Sequence, residues 1–148
     1  MMRLKTYYKV GNRMNELITG RIYFGGAEEA PEAVKNGQVV IDVRVKGLEQ
    51  TPTYAYKHCP IVDESSQIAE SIKTGVSQIL QEYAHGENIY VHCGSGNGRA
   101  SIMATAILLD LGKAESIDEA ECIVKQINPT AKLRPAMREA LEQLYSKS

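Results

Sequence analysis

The stretch that decides the fold lies at residues 88–101. It reads Asn88-Ile89-Tyr90-Val91-His92-Cys93-Gly94-Ser95-Gly96-Asn97-Gly98-Arg99-Ala100-Ser101. A short apolar run, typical of a buried strand, leads into a glycine-rich loop, and a second apolar run over 100–111 is long enough for a buried helix. Glycines let backbone N–H groups turn toward one point, and a helix N-terminus adds its positive end. The stretch therefore predicts an anion site.

Two side chains at the ends of this loop suggest which anion binds and what happens to it. Cys93 opens the loop, where a thiolate would gain the same stabilisation as a bound phosphate, so the thiol should be acidic and nucleophilic. Arg99 closes the loop and can hold two phosphate oxygens at once. We expect the phosphate-binding backbone N–H groups to come from the residues between them: Gly94, Ser95, Gly96, Asn97 and Gly98.

The spacing His92-Cys93-x-x-Gly96-x-x-Arg99 resembles the Cys-x5-Arg signature loop of cysteine-dependent protein phosphatases. The resemblance implies that Cys93 attacks phosphorus and that Arg99 binds the phosphoryl oxygens. His92 stands directly before the nucleophile, so we expect it to orient the loop and make the thiol more acidic.

The similarity extends over nearly the whole chain, roughly 18 to 145, and points to dual-specificity phosphatases. The segments 18–26, 39–44 and 129–131 resemble successive parts of that family. Pro60-Ile61-Val62-Asp63 resembles the loop that carries the general acid, which in this group lies about thirty residues before the nucleophile. The resemblance therefore implies that Asp63 is the general acid.

The sequence departs from the family pattern at two places. The family has Ser or Thr directly after the Arg, where its hydroxyl stabilises the departing cysteine, whereas this chain has Ala100, with Ser101 one position later. The resemblance implies either slow breakdown of the phosphoenzyme or another hydroxyl in that role, and we predict a supporting role for Ser101. A loop-supporting Asn expected after the Pro-Thr segment is replaced near residues 132–134, which predicts weaker support of the loop.

Several of these residues have simpler structural interpretations. Asp63 could cap a helix over 66–84, and Glu64 competes with it as the acid. Asp42 and Arg44 follow a buried strand as a charged pair, which we interpret as structural. Cys59 lies near the predicted acid loop, where a redox partnership with Cys93 is an alternative to an inert thiol.

Two other function classes stay open at this point. Asp-x-Arg at a strand end also occurs in rhodanese-like sulfurtransferases, which use a Cys on an anion loop but usually place Arg after four residues rather than five. Ala100 also fits a non-catalytic module that binds phosphorylated ligands. Cys93, Arg99 and Asp63 argue against the binding module because binding alone needs no nucleophile and no acid.

Composition limits the number of domains, the classes of partner and the cellular compartment that fit this chain. The 148 residues suit one domain, 1–148, and a net charge of −1 gives no attraction to nucleic acid or to an acidic membrane. No apolar run spans a membrane, no signal peptide is visible, and three cysteines favour a reducing, cytoplasmic setting. The histidines and cysteines show no metal-ligand spacing, so we expect no metal and no cofactor. The expected partner is a phosphorylated protein or a small phosphate ester, and we expect a monomer.

Periodicity and breakers predict alternating strands and helices. Residues 1–17 show little periodicity. We predict strands at 18–24, 38–43, 53–61 and 88–92, and helices at 28–36, 66–84, 100–111, 116–127 and 135–145. This order indicates an α/β fold, in which a small central, mostly parallel sheet of four to five strands is flanked by helices. The signature loop then lies at the carboxyl end of a strand, where ligands bind in such sheets.

Overall fold

The computed structural model describes residues 14–146. They form a five-stranded sheet of β1 (Asn15–Ile18), β2 (Ile22–Gly25), β3 (Val39–Asp42), β4 (Tyr56–His58) and β5 (Ile89–His92). The strand order is β1-β2-β5-β3-β4; β1 pairs with β2 antiparallel, and the other three pairs are parallel. The predicted mostly parallel α/β sheet is confirmed.

Strand β5 lies in the middle of the sheet, and its register places the signature loop. His92 is level with Gly25 of β2 on one side and with Asp42 of β3 on the other. All four residues of β5 are buried, as expected for a strand covered on both faces. Cys93 therefore emerges at the carboxyl edge of the sheet, between the ends of its two neighbours.

The helices cover the two faces unequally. They are α1 (Ala30–Lys35), α2 (Ile68–Ala84), α3 (Arg99–Asp110), α4 (Ile117–Ile127) and α5 (Pro135–Tyr145). The large core joins one face of the sheet, with Phe24, Ile41 and Val91, to the apolar sides of α2–α5. A smaller cluster on the opposite face joins Val40 and Tyr90 to α1. None of the helices within residues 14–146 is both long and apolar enough to cross a membrane.

The helix that follows the signature loop is buried along most of its length. Every residue of α3 from Ala100 to Leu108 is buried, so the apolar run predicts it correctly to within one residue. This helix is held by the core through its side chains, which fixes the position of its N-terminus and of Arg99 in its first turn.

The prediction of one strand over 18–24 is wrong. The chain makes a turn at residues 19–21 and forms two antiparallel strands, so β1 begins three residues earlier than predicted and takes in part of the stretch judged non-periodic. Gly20 is the cause: it adopts φ +72°, and the Arg21 N–H donates to the Ile18 carbonyl 2.8 Å away. The rest of that stretch, residues 1–13, lies outside the described part.

The other boundaries differ by small amounts. The strand predicted over 53–61 is regular only at β4, because the chain beyond it bends toward the site while the N–H groups of Cys59 and Ile61 still donate to the β3 segment. The helix predicted over 28–36 begins with a 3-10 turn, Ala27–Glu29, before α1. Ser116 caps α4 by accepting from the Glu119 N–H, and the Glu119 carboxylate accepts from the Glu115 N–H.

Candidate active site

The signature loop begins at a nearly buried cysteine. Cys93 is 6% exposed, and its backbone N–H donates to the Gly25 carbonyl at 3.3 Å. On the other side of β5, the Val43 N–H donates to the His92 carbonyl at 2.9 Å. These bonds to both neighbouring strands fix the start of the loop in the sheet.

The loop turns back on the cysteine sulfur. The Gly96 N–H donates to Cys93 Sγ at 3.1 Å. Gly96 has φ +91°, and a Cβ atom there would lie 2.6 Å from the Gly25 carbonyl carbon. The glycine is thus required both by its backbone conformation and by close packing against β2.

The N-terminus of α3 faces the loop without a protein cap. Gly98 occupies the N-cap position and offers no side-chain acceptor, and the first turn carries no acidic residue. The first N–H groups of a helix need acceptors from outside the helix, and their positive end favours anions. This geometry suits a phosphate held between the loop and α3.

Arg99 connects the loop to the segment predicted to carry the acid. Its Nε donates to the Ile61 carbonyl at 2.7 Å, and its Nη2 is ion-paired with the Asp63 carboxylate. A guanidinium has five N–H donors, and these two contacts use two of them. The structure thus places the Asp63 carboxylate on Arg99, the residue that closes the loop opened by Cys93.

Asp63 does not cap the following helix. The α2 helix begins at Ile68 with Gln67 at the N-cap position and without a side-chain cap bond. The Asp63 side chain is 65% exposed and contacts Arg99 and, at 3.7 Å, Nη2 of Arg134. The capping interpretation is therefore wrong, and Asp63 rather than Glu64 is the carboxylate that contacts Arg99.

Helix α2 nevertheless anchors the acid loop through a different residue. The Val62 N–H donates to Ser71 Oγ at 3.3 Å, and that hydroxyl in turn donates to the Ile68 carbonyl at 2.8 Å. These two bonds, from Val62 to Ser71 and from Arg99 to Ile61, hold the two residues that precede Asp63.

His92 supports the loop as a neutral group. Its Nδ1 lies 3.0 Å from the Cys93 carbonyl, and because a carbonyl only accepts, Nδ1 carries the hydrogen. Burial lowers the pKa of His92, although the Cys93 carbonyl and Asp42 act in the opposite direction. A neutral imidazole holds the Cys93 backbone in place but brings no full positive charge to the start of the loop.

This pKa shift predicts how stability responds to acid. As pH falls through about 6.5, the unfolded chain gains a proton at His92 while the folded chain resists it, so the free energy of unfolding should fall between about pH 7 and 5, by up to about 1.4 kcal/mol per pH unit. His92→Asn keeps an amide donor for the Cys93 carbonyl but does not titrate. Urea unfolding at pH 7 and 5 should show a smaller loss for the variant; equal losses would contradict this assignment.

The hydroxyl of Ser101 points at the loop backbone. Ser101 is fully buried, and its Oγ donates to the Gly96 carbonyl at 3.1 Å. Ala100, also fully buried, has no hydroxyl to offer the sulfur. Ser101 thus supports the loop geometry, while the described donor to Cys93 Sγ is the Gly96 N–H.

The far side of the loop is supported by residues that the sequence analysis missed. Asn128 Nδ2 donates to the Gly96 carbonyl at 3.3 Å, and Thr130 Oγ1 lies 2.6 Å from Asn97 Oδ1. The Lys132 N–H donates to the Asn97 carbonyl at 2.8 Å. The predicted loss of support near residues 132–134 is therefore wrong: Asn128 stands before Pro129 rather than after Thr130. The Asn-Pro-Thr sequence signals a turn at this point but does not indicate that Asn128 contacts the loop.

The Gly25-Gly26 pair is also part of the site, although its sequence signal indicated a strand end. The Ala27 N–H donates to the Gly94 carbonyl at 3.0 Å, and the Tyr90 hydroxyl donates to the Gly26 carbonyl at 2.5 Å. A Cβ atom at Gly26 would lie 3.0 Å from the Gly94 carbonyl oxygen. The absence of side chains lets this segment pack directly beneath the signature loop.

The Asp42–Arg44 pair is structural, as predicted. Arg44 Nε and Nη2 lie 2.9 and 2.7 Å from the two Asp42 oxygens, and the Tyr56 hydroxyl donates to the same carboxylate at 2.6 Å. Burial by itself would raise the pKa of Asp42, but these hydrogen bonds more than offset it and hold the pKa below its ordinary value. The carboxylate is fully paired and stays charged beside the loop.

The remaining cysteines lack the features of Cys93. Burial raises the pKa of the Cys59 thiol, which keeps it protonated near neutral pH and makes it a poor redox partner. Cys122 is exposed on α4. Residues 14–146 contain no cluster of three or more His, Cys, Asp or Glu side chains placed to hold a metal ion.

Comparison with known families agrees with this geometry. Residues 43–144, more than half of the chain and all of the Cys-to-Arg loop, match the model of the PTP-SAK family, described as a Swiss Army Knife protein, DSP-PTPase phosphatase domain. The chain belongs to this family. Asp63 and the whole loop from Cys93 to Arg99 lie within the residues that match this phosphatase domain. No curated protein sequence matches the chain significantly.

Solved structures show the same fold. The structure of DUSP15 matches with a TM-score of 0.78 at 21% identity, covering 92% of this chain and 89% of its own. Tk-PTP in its active form matches with a TM-score of 0.76 at 21% identity, covering 91% and 97%. PTPMT1 matches with a TM-score of 0.74 at 20% identity, covering 89% and 93%. At these identities the likeness concerns the fold.

Proposed function

We propose that this domain hydrolyses phosphate monoesters, namely phosphotyrosine and also phosphoserine or phosphothreonine in proteins, through a cysteinyl-phosphate intermediate. The observation that carries the proposal is the meeting of Cys93 Sγ, the Gly96 N–H, Arg99 and the Asp63 carboxyl at the carboxyl edge of β5. A nucleophile, oxyanion donors and an acid in one place are the requirements for phosphoryl transfer.

In the first step, the Cys93 thiolate donates an electron pair to phosphorus from the side opposite the ester oxygen. The S–P bond forms as the P–O bond to the leaving group breaks. The protonated Asp63 carboxyl gives its proton to the departing oxygen, which leaves as an alcohol or phenol. The loop N–H groups and Arg99 hold the other three phosphoryl oxygens, where the negative charge resides.

The Asp63 carboxylate is ion-paired with the Arg99 guanidinium. A phosphate dianion competes with this carboxylate for the same guanidinium, and a protonated Asp63 no longer pairs with it as an ion. Phosphate binding to Arg99 therefore releases Asp63 from the guanidinium, which leaves the carboxyl available as the acid of the first step.

In the second step, water attacks phosphorus while Asp63, now ionised, takes its proton. The S–P bond breaks and the electron pair returns to Cys93 as a thiolate, with inorganic phosphate as the product. The departing thiolate accepts a hydrogen bond from the Gly96 N–H, and Ala100 has no hydroxyl to donate a second one. Breakdown of the intermediate is thus the slower step in this proposal.

Restoring that hydroxyl gives a direct prediction. Ala100→Ser should accelerate breakdown of the phosphoenzyme and raise kcat by about three- to tenfold, with little change in kcat/KM, because kcat/KM reports the steps up to formation of the intermediate. Position 100 is fully buried, so the thermal midpoint of the variant must be compared with that of the wild type. A folded variant with unchanged kcat and an unchanged pre-steady-state burst would contradict slow breakdown.

The function itself is tested by phosphate release from phosphotyrosyl and phosphoseryl peptides and from p-nitrophenyl phosphate. A parallel assay of sulfur transfer from thiosulfate to cyanide addresses the rhodanese alternative. Phosphate release without sulfur transfer is the expected result. Sulfur transfer alone would replace the proposal, and tight phosphopeptide binding without any turnover would favour the binding module.

The setting proposed for this activity follows from the nucleophile. A reactive thiol requires a reducing compartment, so we infer a cytoplasmic enzyme that acts on phosphorylated proteins as a monomer and without a metal or cofactor. Gel filtration at assay concentration would test the monomer.

A further inference from the structure

A short extended segment beside the signature loop carries two cationic side chains. Residues 131–134 run from the Asn128 turn to the start of α5, and the Lys132 N–H is bonded to the Asn97 carbonyl of the loop at 2.8 Å. Ala131 is buried and Leu133 is half-buried, whereas Lys132 and Arg134 are exposed. Both cationic side chains of this segment are therefore exposed to solvent, next to the residues that support the loop.

Arg134 reaches the catalytic groups directly. Its Nη2 lies 3.7 Å from Asp63 Oδ1, on the same carboxylate that is paired with Arg99. The Arg134 side chain is 60% exposed. A contact of this length between exposed groups is weak, so the guanidinium can exchange its partner for a group on a bound molecule.

The charge of Arg134 is least compensated when the site is ready to react. Asp63 has to be protonated to act as the acid, and a neutral carboxyl no longer balances the guanidinium. The chain as a whole has a net charge of −1, so this positive rim is a local feature and not part of a basic surface. An anionic group held beside the scissile phosphate would meet Arg134 there.

We propose that Arg134, assisted by Lys132, binds a second anionic group of the substrate and makes the domain select phosphopeptides with a carboxylate or a second phosphate next to the scissile phosphoryl group. This inference rests on the proposed function and adds the substrate class. Arg134 is a specificity residue in this assignment, since Arg99 and the loop hold the reacting phosphate. A planar guanidinium pairs with a second carboxylate or phosphate through two parallel hydrogen bonds.

The test compares three phosphotyrosyl peptides that differ at one neighbouring residue, which is Ala, Glu or phosphoserine. For the wild type we expect kcat/KM on the Glu peptide to be about two- to fivefold higher than on the Ala peptide. On the phosphoserine peptide we expect it to be about tenfold higher than on the Ala peptide. Both ratios should shrink as salt rises, because the contact is exposed.

Arg134→Gln should bring both ratios to about one, and Lys132→Gln should lower them partially. The ratio is the readout because Arg134 also contacts Asp63, so its loss can alter the rate on every peptide. The matched control is Arg138→Gln, the same change four residues along, where Arg138 is paired with Asp118 and Glu121 away from the site. It should keep the wild-type ratios.

The outcomes separate the two proposals. Wild-type turnover at equal kcat/KM on all three peptides, or equal ratios in Arg134→Gln and Arg138→Gln, would overturn the second-anion site and leave the phosphatase intact. A preference for phosphoserine but not Glu would restrict the site to phosphate. Absence of turnover of every peptide would overturn the proposed function and this inference with it.

Discussion

Replacing Cys93 by Ser should abolish turnover of every phosphate ester while phosphate and substrate still bind. A serine hydroxyl is not ionised near neutral pH, so the nucleophile is lost and the rate should fall by about 10⁴-fold or more. Arg99 and the loop N–H groups are unchanged, and Ser is close in size to Cys at this nearly buried position. Binding energy that depends on these groups should therefore persist.

The measurement pairs steady-state rates with calorimetric binding of a phosphotyrosyl peptide. Cys122→Ser is the matched control, since it makes the same atomic change at an exposed position on α4 and should leave rate and binding at wild-type values. A Cys93→Ser protein that retains even a tenth of the wild-type rate would remove Cys93 from the chemistry.

Asp63→Asn should reduce the rate most on substrates with poor leaving groups. An amide cannot donate a proton as a carboxylic acid does, so kcat/KM should fall by about 10²–10⁴-fold on alkyl or tyrosyl phosphates. The loss should be much smaller on p-nitrophenyl phosphate, whose leaving group hardly needs a proton. The comparison uses kcat/KM because slow breakdown of the phosphoenzyme would mask the contrast in kcat.

The structure makes this test cleaner than the sequence alone would. Asp63 does not cap α2, so the substitution should leave the thermal midpoint nearly unchanged. Glu64→Gln is the neighbouring control: it removes the adjacent carboxylate, which is not the one paired with Arg99, and should have little effect on either substrate. Equal losses on both substrates in Asp63→Asn, or a large loss in Glu64→Gln, would move the acid role away from Asp63.

The parts of the molecule that could be predicted are those in which neighbours in sequence are neighbours in space. The β5 strand, the glycine loop and α3 follow one another directly, and their apolar runs and glycines dictate local backbone geometry. Gly20 shows the limit within such local patterns. It stands inside an alternating run that favours one strand, but its positive φ makes a turn, and a glycine in a strand pattern permits either outcome.

The contacts that could not be predicted join distant segments. Asp63 is a residue type that often caps helices and lies just before one, and only the fold places Arg99 close enough to pair with its carboxylate. Asn128 and Gly26 support the loop from 32 and 68 residues away in sequence, through a side-chain amide and a bare backbone. The sequence around Asn128 or Gly26 has no pattern that predicts a contact with the signature loop. The same holds for Arg134, because the role proposed for it rests on its contact with Asp63, which lies 71 residues earlier in the chain.

The central claim is that phosphate is transferred to Cys93, and trapping the intermediate tests it most directly. The wild-type protein, mixed with p-nitrophenyl phosphate and quenched in acid within its first turnovers, is digested and the Cys93 peptide is examined by mass spectrometry. We predict that one phosphoryl group is found on Cys93, is absent in Cys93→Ser and is diminished in Ala100→Ser. Turnover without phosphocysteine in the wild type, or with the phosphoryl group on another residue, would contradict the account.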